Sequence, residues 1–417
     1  MRVRYPRANQ HAQAGTMRPL KQFGTISALA LFIAAAVGAN VAQTTPRPSP
    51  APEFKTLAAR AASARDAGHL DEAAALYRKA LGANPRWAEG WWTLGAIDYD
   101  ADRYPQAAAE FQKVLALDPQ HGTARAMLGL CQFRLGQDSE ALKNIESAPA
   151  IGIADDEQLR RVMLYDEGVL LRRAGRFEAA RSVLGSLCQS GAADHDAVMA
   201  LGMVALWMAD PQPPTDGQAA QVTMQVGRGA CLAARKDFDA GRREFEPVAA
   251  VAPHFPKFHL AYGRFLEDAG DSAGAIRQYK LEIEEDPGSV VARFSIGAAE
   301  YKVDSAAGVP YAEEAVRLAP ELPYAHYLLG LLLLDTGEFS RAVPELEIAR
   351  KAFPTEARVE LALGSAYAHV GRPEDAARAR VEFQKLTQAQ KAGNASEGEA
   401  GTPQSAIRDG MQSAEKH

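Results

Sequence analysis

The stretch WWTLGAIDYD, residues 91–100, places a glycine in the middle of a segment whose composition predicts a helix. The stretch HYLLGLLLLD, residues 326–335, carries leucine and glycine at the same offsets. Glycine inside a helix costs about 1 kcal/mol relative to alanine. Its recurrence therefore indicates a place where two backbones must approach closely.

Similar stretches recur along most of the chain. Their glycines are Gly95, Gly129, Gly168, Gly229, Gly263, Gly297, Gly330 and Gly364. Most neighbouring glycines in this series are 33 or 34 residues apart, a period typical of solenoids built from helical hairpins. A second small residue follows nearly every glycine after twelve positions. We expect the two helices of each hairpin to meet face to face through these small residues.

Turn residues recur in the same register. Glycines that should end first helices in a left-handed cap are Gly68, Gly136, Gly175, Gly270, Gly337 and Gly371. Prolines that should follow second helices are Pro85, Pro119, Pro253, Pro287, Pro320 and Pro354. Both series predict the same division of the chain into helix pairs.

The second repeat carries a recognisable motif. Its matching residues are Trp91, Leu94, Gly95, Ala107, Phe111 and Pro119. They follow the pattern W-x2-L-G-x2-Y, then A-x3-F, then P, with Asp98 in place of the tyrosine. Residues 54–390 therefore resemble the tetratricopeptide repeat (TPR) family. The resemblance implies an all-α, right-handed α-solenoid of stacked antiparallel helix pairs, with the first helices lining a concave face.

The repeat register divides the chain into blocks. We predict an N-terminal TPR block at 54–194 and a C-terminal block at 222–390, which ends in a capping helix. Residues 195–221 are interpreted as an incomplete repeat with a proline-rich loop that interrupts the array. Gly202 stands there at a repeat offset, but the next repeat glycine follows only 27 residues later.

The two ends of the chain lie outside the predicted repeats. Residues 1–39 join a basic segment to a short apolar run, which is typical of a secretory signal peptide, with an uncleaved membrane anchor as the alternative. Residues 40–53 form a proline-rich linker, and residues 391–417 are predicted to be a disordered tail. We expect an exported protein of the periplasm or cell envelope, secreted or, if the signal is uncleaved, associated with the membrane through its N-terminus.

Charge and cysteine content narrow the possible partners. The net charge of −6, without clustered basic residues, argues against nucleic acid as a partner. Cys131, Cys188 and Cys231 are not spaced like a metal knuckle or a redox pair. We expect three small buried apolar side chains, with one disulfide and a leftover thiol as the alternative.

The sequence carries no motif that predicts catalysis in its context. It contains no HExxH or GxxxxGK, and its one GxSxG match, GDSAG at 270–274, starts at a glycine expected to cap a helix rather than after a strand. A hydrolase would also need a polar cluster at the 195–221 interruption. We interpret DHD at 194–196 as a helix cap rather than a metal site, and EIEED at 282–286 as a solvated helix end. We therefore predict a non-enzymatic protein without catalytic residues, metal or cofactor.

A partner-binding groove is predicted on the first helices, because Trp92 and Tyr99 lie seven positions apart on one helix face. Equivalent positions and their neighbours complete the predicted groove, whose residues are Trp92, Tyr99, Phe133, Arg134, Tyr165, Arg172, Arg173, Phe294, Tyr301 and Tyr327. Aromatic residues and arginine are enriched in binding hot spots. The expected function is a scaffold or adaptor for protein or peptide partners, and the alternative is a glycan-binding or enzyme-accessory module of the cell wall.

Overall fold

The computed structural model describes residues 52–301 and 303–394. Within these two ranges the chain forms nineteen α-helices and no strand. Consecutive helices pack as antiparallel pairs, so the predicted all-α repeat fold is confirmed. The predicted signal segment and nearly all of the linker and tail lie outside the described residues. None of the described helices is both long and apolar enough to span a bilayer.

The first of two compact units extends to Leu170. Its helices are α1 (Pro52–Asp66), α2 (Leu70–Ala83), α3 (Ala88–Asp100), α4 (Tyr104–Leu117), α5 (Gly122–Arg134), α6 (Asp138–Ile151) and most of α7 (Glu157–Arg173). Helices α1 and α2, α3 and α4, and α5 and α6 form hairpins. The boundary falls inside α7, earlier than the change of block expected at residue 195.

The second unit starts at Leu171. Its helices are α8 (Phe177–Gln189), α9 (His195–Ala205), α10 (Gly217–Ala234), α11 (Phe238–Val251), α12 (Phe258–Asp268), α13 (Ser272–Glu285), α14 (Val290–Glu300), α15 (Ser305–Leu318), α16 (Pro323–Asp335), α17 (Phe339–Ala352), α18 (Ala357–His369) and α19 (Pro373–Asn394). One continuous hydrophobic core runs from the end of α9 to α19.

The predicted turn residues stand where the hairpins need them. The six capping glycines have φ angles between +70° and +81°, the left-handed region in which a side chain would be strained. Each of the six prolines follows the last residue of its second helix by two positions. Both sets of positions are confirmed. The sequence could predict them because glycine and proline act on the local backbone.

The mid-helix glycines are contact points between paired helices, as predicted. A Cβ at Gly95 would lie 2.9 Å from the ring of Phe111, and a Cβ at Gly263 would lie 2.5 Å from the ring of Tyr279. Each ring comes from the second helix, sixteen positions after the glycine. At these two positions a large side chain fills the space above the glycine. Elsewhere the small residues do face each other as expected, since a Cβ at Gly229 would lie 3.4 Å from the carbonyl oxygen of Gly241, and one at Gly129 would lie 3.2 Å from that of Ala141.

The interruption consists of a helix that serves two repeats. Helix α10 has 18 residues and packs against both α9 and α11. A Cβ at Gly202 would lie 2.0 Å from the Thr223 carbonyl oxygen, and one at Gly227 would lie 2.1 Å from that of Val198. The first half of α10 thus pairs with α9 in place of a second helix, while its later half carries the repeat glycine Gly229. Because one helix serves both repeats, Gly229 follows Gly202 after only 27 residues. The predicted interruption of the array is confirmed.

The cysteines differ from the expectation of three free thiols. Cys188 of α8 and Cys231 of α10 form a disulfide, with their Cα atoms 5.3 Å apart. Cys131 is a buried thiol, and burial raises its pKa to about 12. The alternative of one disulfide and one thiol therefore holds. The sequence did not reveal this pair, because α8 and α10 are neighbours only as a result of α10 serving two repeats.

The acidic end of α13, EIEED, is solvated only in part, because Glu284 and Glu285 are exposed whereas Glu282 is buried. The Lys257 ammonium donates to Glu282 at 3.1 Å and to Asp286 at 2.6 Å. His254 Nδ1 lies 2.6 Å from a carboxylate oxygen of Glu285. Glu282 is only 2% exposed, so these acids tie α13 to the turn before α12.

Candidate functional site

Two predicted groove residues lie on α3, and neither is a free surface aromatic. Trp92 is half-buried, with its ring 5.4 Å from that of Phe111 and 5.2 Å from that of His121. Tyr99 is 5% exposed and packs edge-on against Tyr104 at 5.5 Å. Both rings fill space between neighbouring helices.

The end of α5 is linked to α7 by a partly buried ion pair. Arg134 Nη1 donates to the two carboxylate oxygens of Asp166 at 3.3 and 3.2 Å, and Asp166 is fully buried. The Arg134 guanidinium also lies 4.9 Å from the centre of the Phe133 ring. Burial lowers the pKa of Arg134, but Asp166 and Tyr99 outweigh it and raise that pKa above its usual value. Arg134 is therefore a fixed charge that joins two repeats.

Helix α7 carries three further predicted groove residues. Tyr165 and Arg173 are half-buried. Arg172 is only 2% exposed, and its Nη1 donates to the carbonyl oxygens of Met208 at 2.7 Å and Asp210 at 2.5 Å. Arg172 thus holds the start of the loop between α9 and α10, and it does not face a groove.

The remaining predicted groove residues belong to the second unit. Phe294 and Tyr327 are 2% and 7% exposed and lie in its hydrophobic core, while Tyr301 is half-buried against that core. Burial raises the pKa of the Tyr327 hydroxyl to about 12. The spacing of seven placed such residues on one helix face but did not reveal that this face packs against the next repeat.

The predicted groove therefore needs correction. Tyr99, Arg172, Phe294 and Tyr327 are interior side chains that a partner does not reach in this structure. Trp92, Phe133, Arg134, Tyr165, Arg173 and Tyr301 keep part of their surface exposed. These six residues are divided between the two units, so they do not form one continuous stripe within either unit.

The second unit contains a cleft that was not predicted from the sequence. Its volume is about 490 Å³, and α8, α9, α10 and α12 supply most of its lining. Phe177 and Trp207 stack with ring centres 5.1 Å apart, and Phe238 lies edge-on to Phe265 at 6.3 Å. The backbone of Trp207, two residues after the end of α9, is left-handed with φ of 55°. Part of the lining is therefore aromatic.

Another part of the lining is a network of ion pairs. Arg181 donates to Glu178 at 3.2 Å and to Asp268 at 2.8 Å, while Arg264 donates to Glu178 at 3.2 Å. Burial lowers the pKa of Arg264, but Glu178, Glu267 and Asp268 outweigh it and raise that pKa. Each of the four linked side chains keeps between 13% and 29% of its surface exposed. The cleft thus presents fixed charges of both signs beside aromatic rings.

The cleft forms where α10, the helix that serves two repeats, lies beside α8. Small residues line the α8 and α10 sides, among them Gly185, Ala230 and Ala233. The Cys188–Cys231 disulfide joins the same two helices. A sequence signal was present, because Phe177 and Phe238 each stand nine positions after a repeat glycine. The predicted groove residues lie on first helices, whereas these two phenylalanines stand at the starts of second helices.

The segment DHD is a helix cap, as interpreted from the sequence. The Asp194 carboxylate accepts a hydrogen bond from the backbone nitrogen of Ala197 at 3.0 Å, at the start of α9. Across 52–301 and 303–394, no three histidine, cysteine, aspartate or glutamate side chains are grouped so as to hold a metal ion.

Comparison with known proteins identifies the repeat. Two family models, each described as a tetratricopeptide repeat, match this chain, one at residues 98–163 and the other at 230–290 and 327–381. The chain is 25% identical over 238 residues to the cellulose synthase operon protein C of Xanthomonas axonopodis pv. citri (strain 306). That match covers 51% of this chain and only 16% of the relative.

Several solved structures are similar at low identity. A crystal structure of MamA is 24% identical, covering 39% of this chain and 96% of that chain, with a TM-score of 0.37. MamA from Desulfovibrio magneticus RS-1 is 19% identical, with coverages of 42% and 99% and a TM-score of 0.39. A tetratricopeptide repeat protein from Parabacteroides merdae ATCC 43184 is 14% identical, with coverages of 67% and 99% and a TM-score of 0.31.

The identification rests on the helix pairs, the register of their glycines and prolines, and the two family models. TPR arrays act as scaffolds for interactions between proteins. The chain belongs to the tetratricopeptide repeat family of protein-interaction scaffolds.

Proposed function

We propose that this protein is an exported, non-enzymatic scaffold of the bacterial cell envelope that binds a segment of a partner protein in the cleft of its second unit. The observation that carries the proposal is the cleft itself, in which aromatic rings adjoin ion pairs that are already satisfied within the protein. The partly exposed residues of the predicted groove are additional contact candidates.

The lining indicates which partner segment would fit. A volume of about 490 Å³ suits a few bulky side chains, and the rings offer apolar surface for them. Lys236 joins Arg181 and Arg264 in the lining, against Glu178 and Asp268, so positive charge is in slight excess. The segment should therefore carry a large apolar side chain next to an acidic residue.

Two observations support export. Disulfides form and persist in oxidising compartments and are rare in the cytosol, and Cys188 and Cys231 are joined by one. The first 39 residues carry the pattern of a secretory signal, although they lie outside the described residues. If that signal is retained, the N-terminus would associate with the membrane.

The test is to fill the cleft. Ala233 is a half-buried lining residue of α10, and Ala233→Phe should reduce the volume available to a ligand. Peptides selected from a random display library on the wild-type protein should bind this variant at least about tenfold more weakly. Ala250→Phe, at an exposed position of α11 outside the lining, is the matched control and should bind normally. Equal affinity of the folded Ala233→Phe variant would refute the proposed site.

A second candidate is a glycan-binding or enzyme-accessory module of the cell wall. The name of the relative in Xanthomonas places that protein in a cellulose synthase operon, and aromatic rings offer flat apolar faces on which sugar rings can stack. Titrating the protein with β-linked glucan oligosaccharides, in parallel with the selected peptides, distinguishes the two functions. Glucan binding that Ala233→Phe abolishes, without any peptide binding, would favour this second candidate.

A further inference from the structure

Methionines are concentrated at the interruption of the repeats. The chain has nine methionines in all. Four of them fall between residues 199 and 224, namely Met199, Met203, Met208 and Met224. They lie on α9, on the loop after it and on α10. Methionine side chains can fill gaps in a core, and their thioether sulfurs can also bind soft metal ions.

The crossing of α9 and α10 brings two of these methionines to the same side. Val198 of α9 approaches Gly227 of α10, and Gly202 of α9 approaches Thr223 of α10, so the helices run antiparallel in direct contact. Met199 and Met224 each follow one of these contact residues by one position. In antiparallel right-handed helices, residues one position after the contact emerge on the same flank.

A histidine completes the group. His195 is the first residue of α9 and lies one helical turn before Met199, on the same face. His195, Met199 and Met224 all line one surface pocket of about 620 Å³. His195 is exposed, Met224 is half-buried and Met199 is 9% exposed, so the pocket extends from solvent to the side chains of both methionines.

We propose that His195, Met199 and Met224 bind a soft monovalent metal ion, Cu(I), through one imidazole nitrogen and two thioether sulfurs. Soft thioether ligands favour Cu(I) and imidazole is compatible with copper, whereas hard divalent ions prefer carboxylate and carbonyl oxygen. Asp196 and Arg228 line the same pocket with opposite charges. Their charges offset each other, which suits a singly charged ion better than a doubly charged one.

The other two methionines of the cluster have a packing role. Met203 is 1% exposed and lies in the interior of the α9 region. The sulfur of Met208 lies 3.7 Å from the hydroxyl of Thr223, which donates to it. Neither residue lines the pocket, so both serve as internal controls for the site.

The first experiment is an anaerobic competition between the protein and a chromophoric Cu(I) chelator. A Cys131→Ala background removes the one free thiol among the described cysteines, which would otherwise compete for Cu(I). We expect this protein to withdraw one equivalent of Cu(I) from the chelator. The double variant Met199→Leu/Met224→Leu, which conserves side-chain volume, should bind at least about 100-fold more weakly. Met203→Leu is the matched control and should bind like its parent.

The second experiment locates the ion and remains informative if the double variant folds poorly. Silver(I), a redox-inert substitute for Cu(I), is added to protein labelled with ¹³C at the methionine methyl groups. The signals of Met199 and Met224 should shift, and that of Met203 should not. His195→Gln should weaken binding about tenfold. The proposal is overturned if the protein withdraws no Cu(I), if the folded double variant withdraws as much as its parent, or if silver leaves both methyl signals unmoved.

Discussion

Gly202 and Gly227 bring the backbones of α9 and α10 into direct contact, since a Cβ on Gly227 would lie 3.1 Å from the Gly202 nitrogen. This contact lets one helix close the incomplete repeat and also start the next one. The disulfide, the aromatic cleft and the methionine pocket all adjoin the helices joined at this point. The irregular repeat is therefore the part of the array where distinctive chemistry is concentrated.

A side chain at Gly202 should destabilise the second unit. The Cβ of Gly202→Ala would lie 2.0 Å from the carbonyl oxygen of Thr223, so α9 and α10 would have to separate. We expect a loss of about 2–3 kcal/mol in the free energy of unfolding, measured in urea by the fluorescence of Trp207 in a background in which Trp87, Trp91 and Trp92 are replaced by phenylalanine. Gly185→Ala on α8 is the control, because its Cβ would lie 3.5 Å from that of Ala234, an ordinary contact. Equal stability of the two variants would contradict the close approach.

The disulfide should contribute strongly to stability. It links Cys188 to Cys231 across 43 positions, and the chain-entropy relation assigns about 4 kcal/mol to a loop of that size. The double variant Cys188→Ala/Cys231→Ala should lose roughly that amount in urea unfolding. A thiol reductant should destabilise the wild type but leave this variant unchanged. The control Cys131→Ala should be destabilised by the reductant as the wild type is. If the reductant leaves the stability of the wild type unchanged, the disulfide does not have this role.

Helix α4 carries a buried acid that makes the first unit sensitive to pH. Glu110 is 7% exposed, and burial together with the charge of Asp98 raises its pKa to about 8. Arg78 and Arg103 donate to Asp98 at 2.6 and 2.7 Å, and both partly offset the shift. The thiol of Cys131 on α5 also interacts with Glu110.

The sign of the pH effect follows from proton linkage. From about pH 4.5 to about pH 8, folded Glu110 keeps a proton that the unfolded chain releases, so the free energy of unfolding falls as pH rises. Glu110→Gln cannot ionise, and its stability relative to wild type should increase from about pH 5 to about pH 9. Glu140→Gln, at an exposed position of α6, should show no such trend. Parallel thermal denaturation profiles for wild type and Glu110→Gln would refute this role of Glu110.

Trp92 should matter for packing more than for binding. Its ring contacts those of Phe111 and His121, so Trp92→Ala should cost about 3 kcal/mol in the free energy of unfolding. Trp92→Phe keeps part of the contact and should cost less. Differential scanning calorimetry of the two variants measures the effect. If Trp92→Ala has the stability of wild type, the ring does not contribute to packing, and Trp92 is again a candidate for partner binding in the predicted groove.

The sequence predicted those features of the fold that depend on local chemistry. Gly68 and Gly371 could be placed at helix ends because only glycine adopts the left-handed backbone easily. Pro85 could be placed after a helix because proline cannot continue one. The glycine period then predicted the helix pairs, and even the short spacing after Gly202 pointed to an incomplete repeat.

The candidate site could not be predicted in the same way, because it depends on contacts between repeats. Tyr99 and Phe294 share the helix face expected of a groove, yet neighbouring helices bury them. The cleft and the disulfide require α8 and α10 to be neighbours, which follows from the packing of α10 on α9. Residue spacing along one helix contains no information about these neighbours.

The central claim is that α10 serves two repeats and so lies beside α8. The most direct test is peptide mapping by mass spectrometry, without reduction, of the protein purified after export from a bacterial host. We predict one linked peptide pair that joins Cys188 to Cys231, with Cys131 recovered as a thiol. Recovery of all three cysteines as free thiols, or a link through Cys131, would contradict this arrangement of helices.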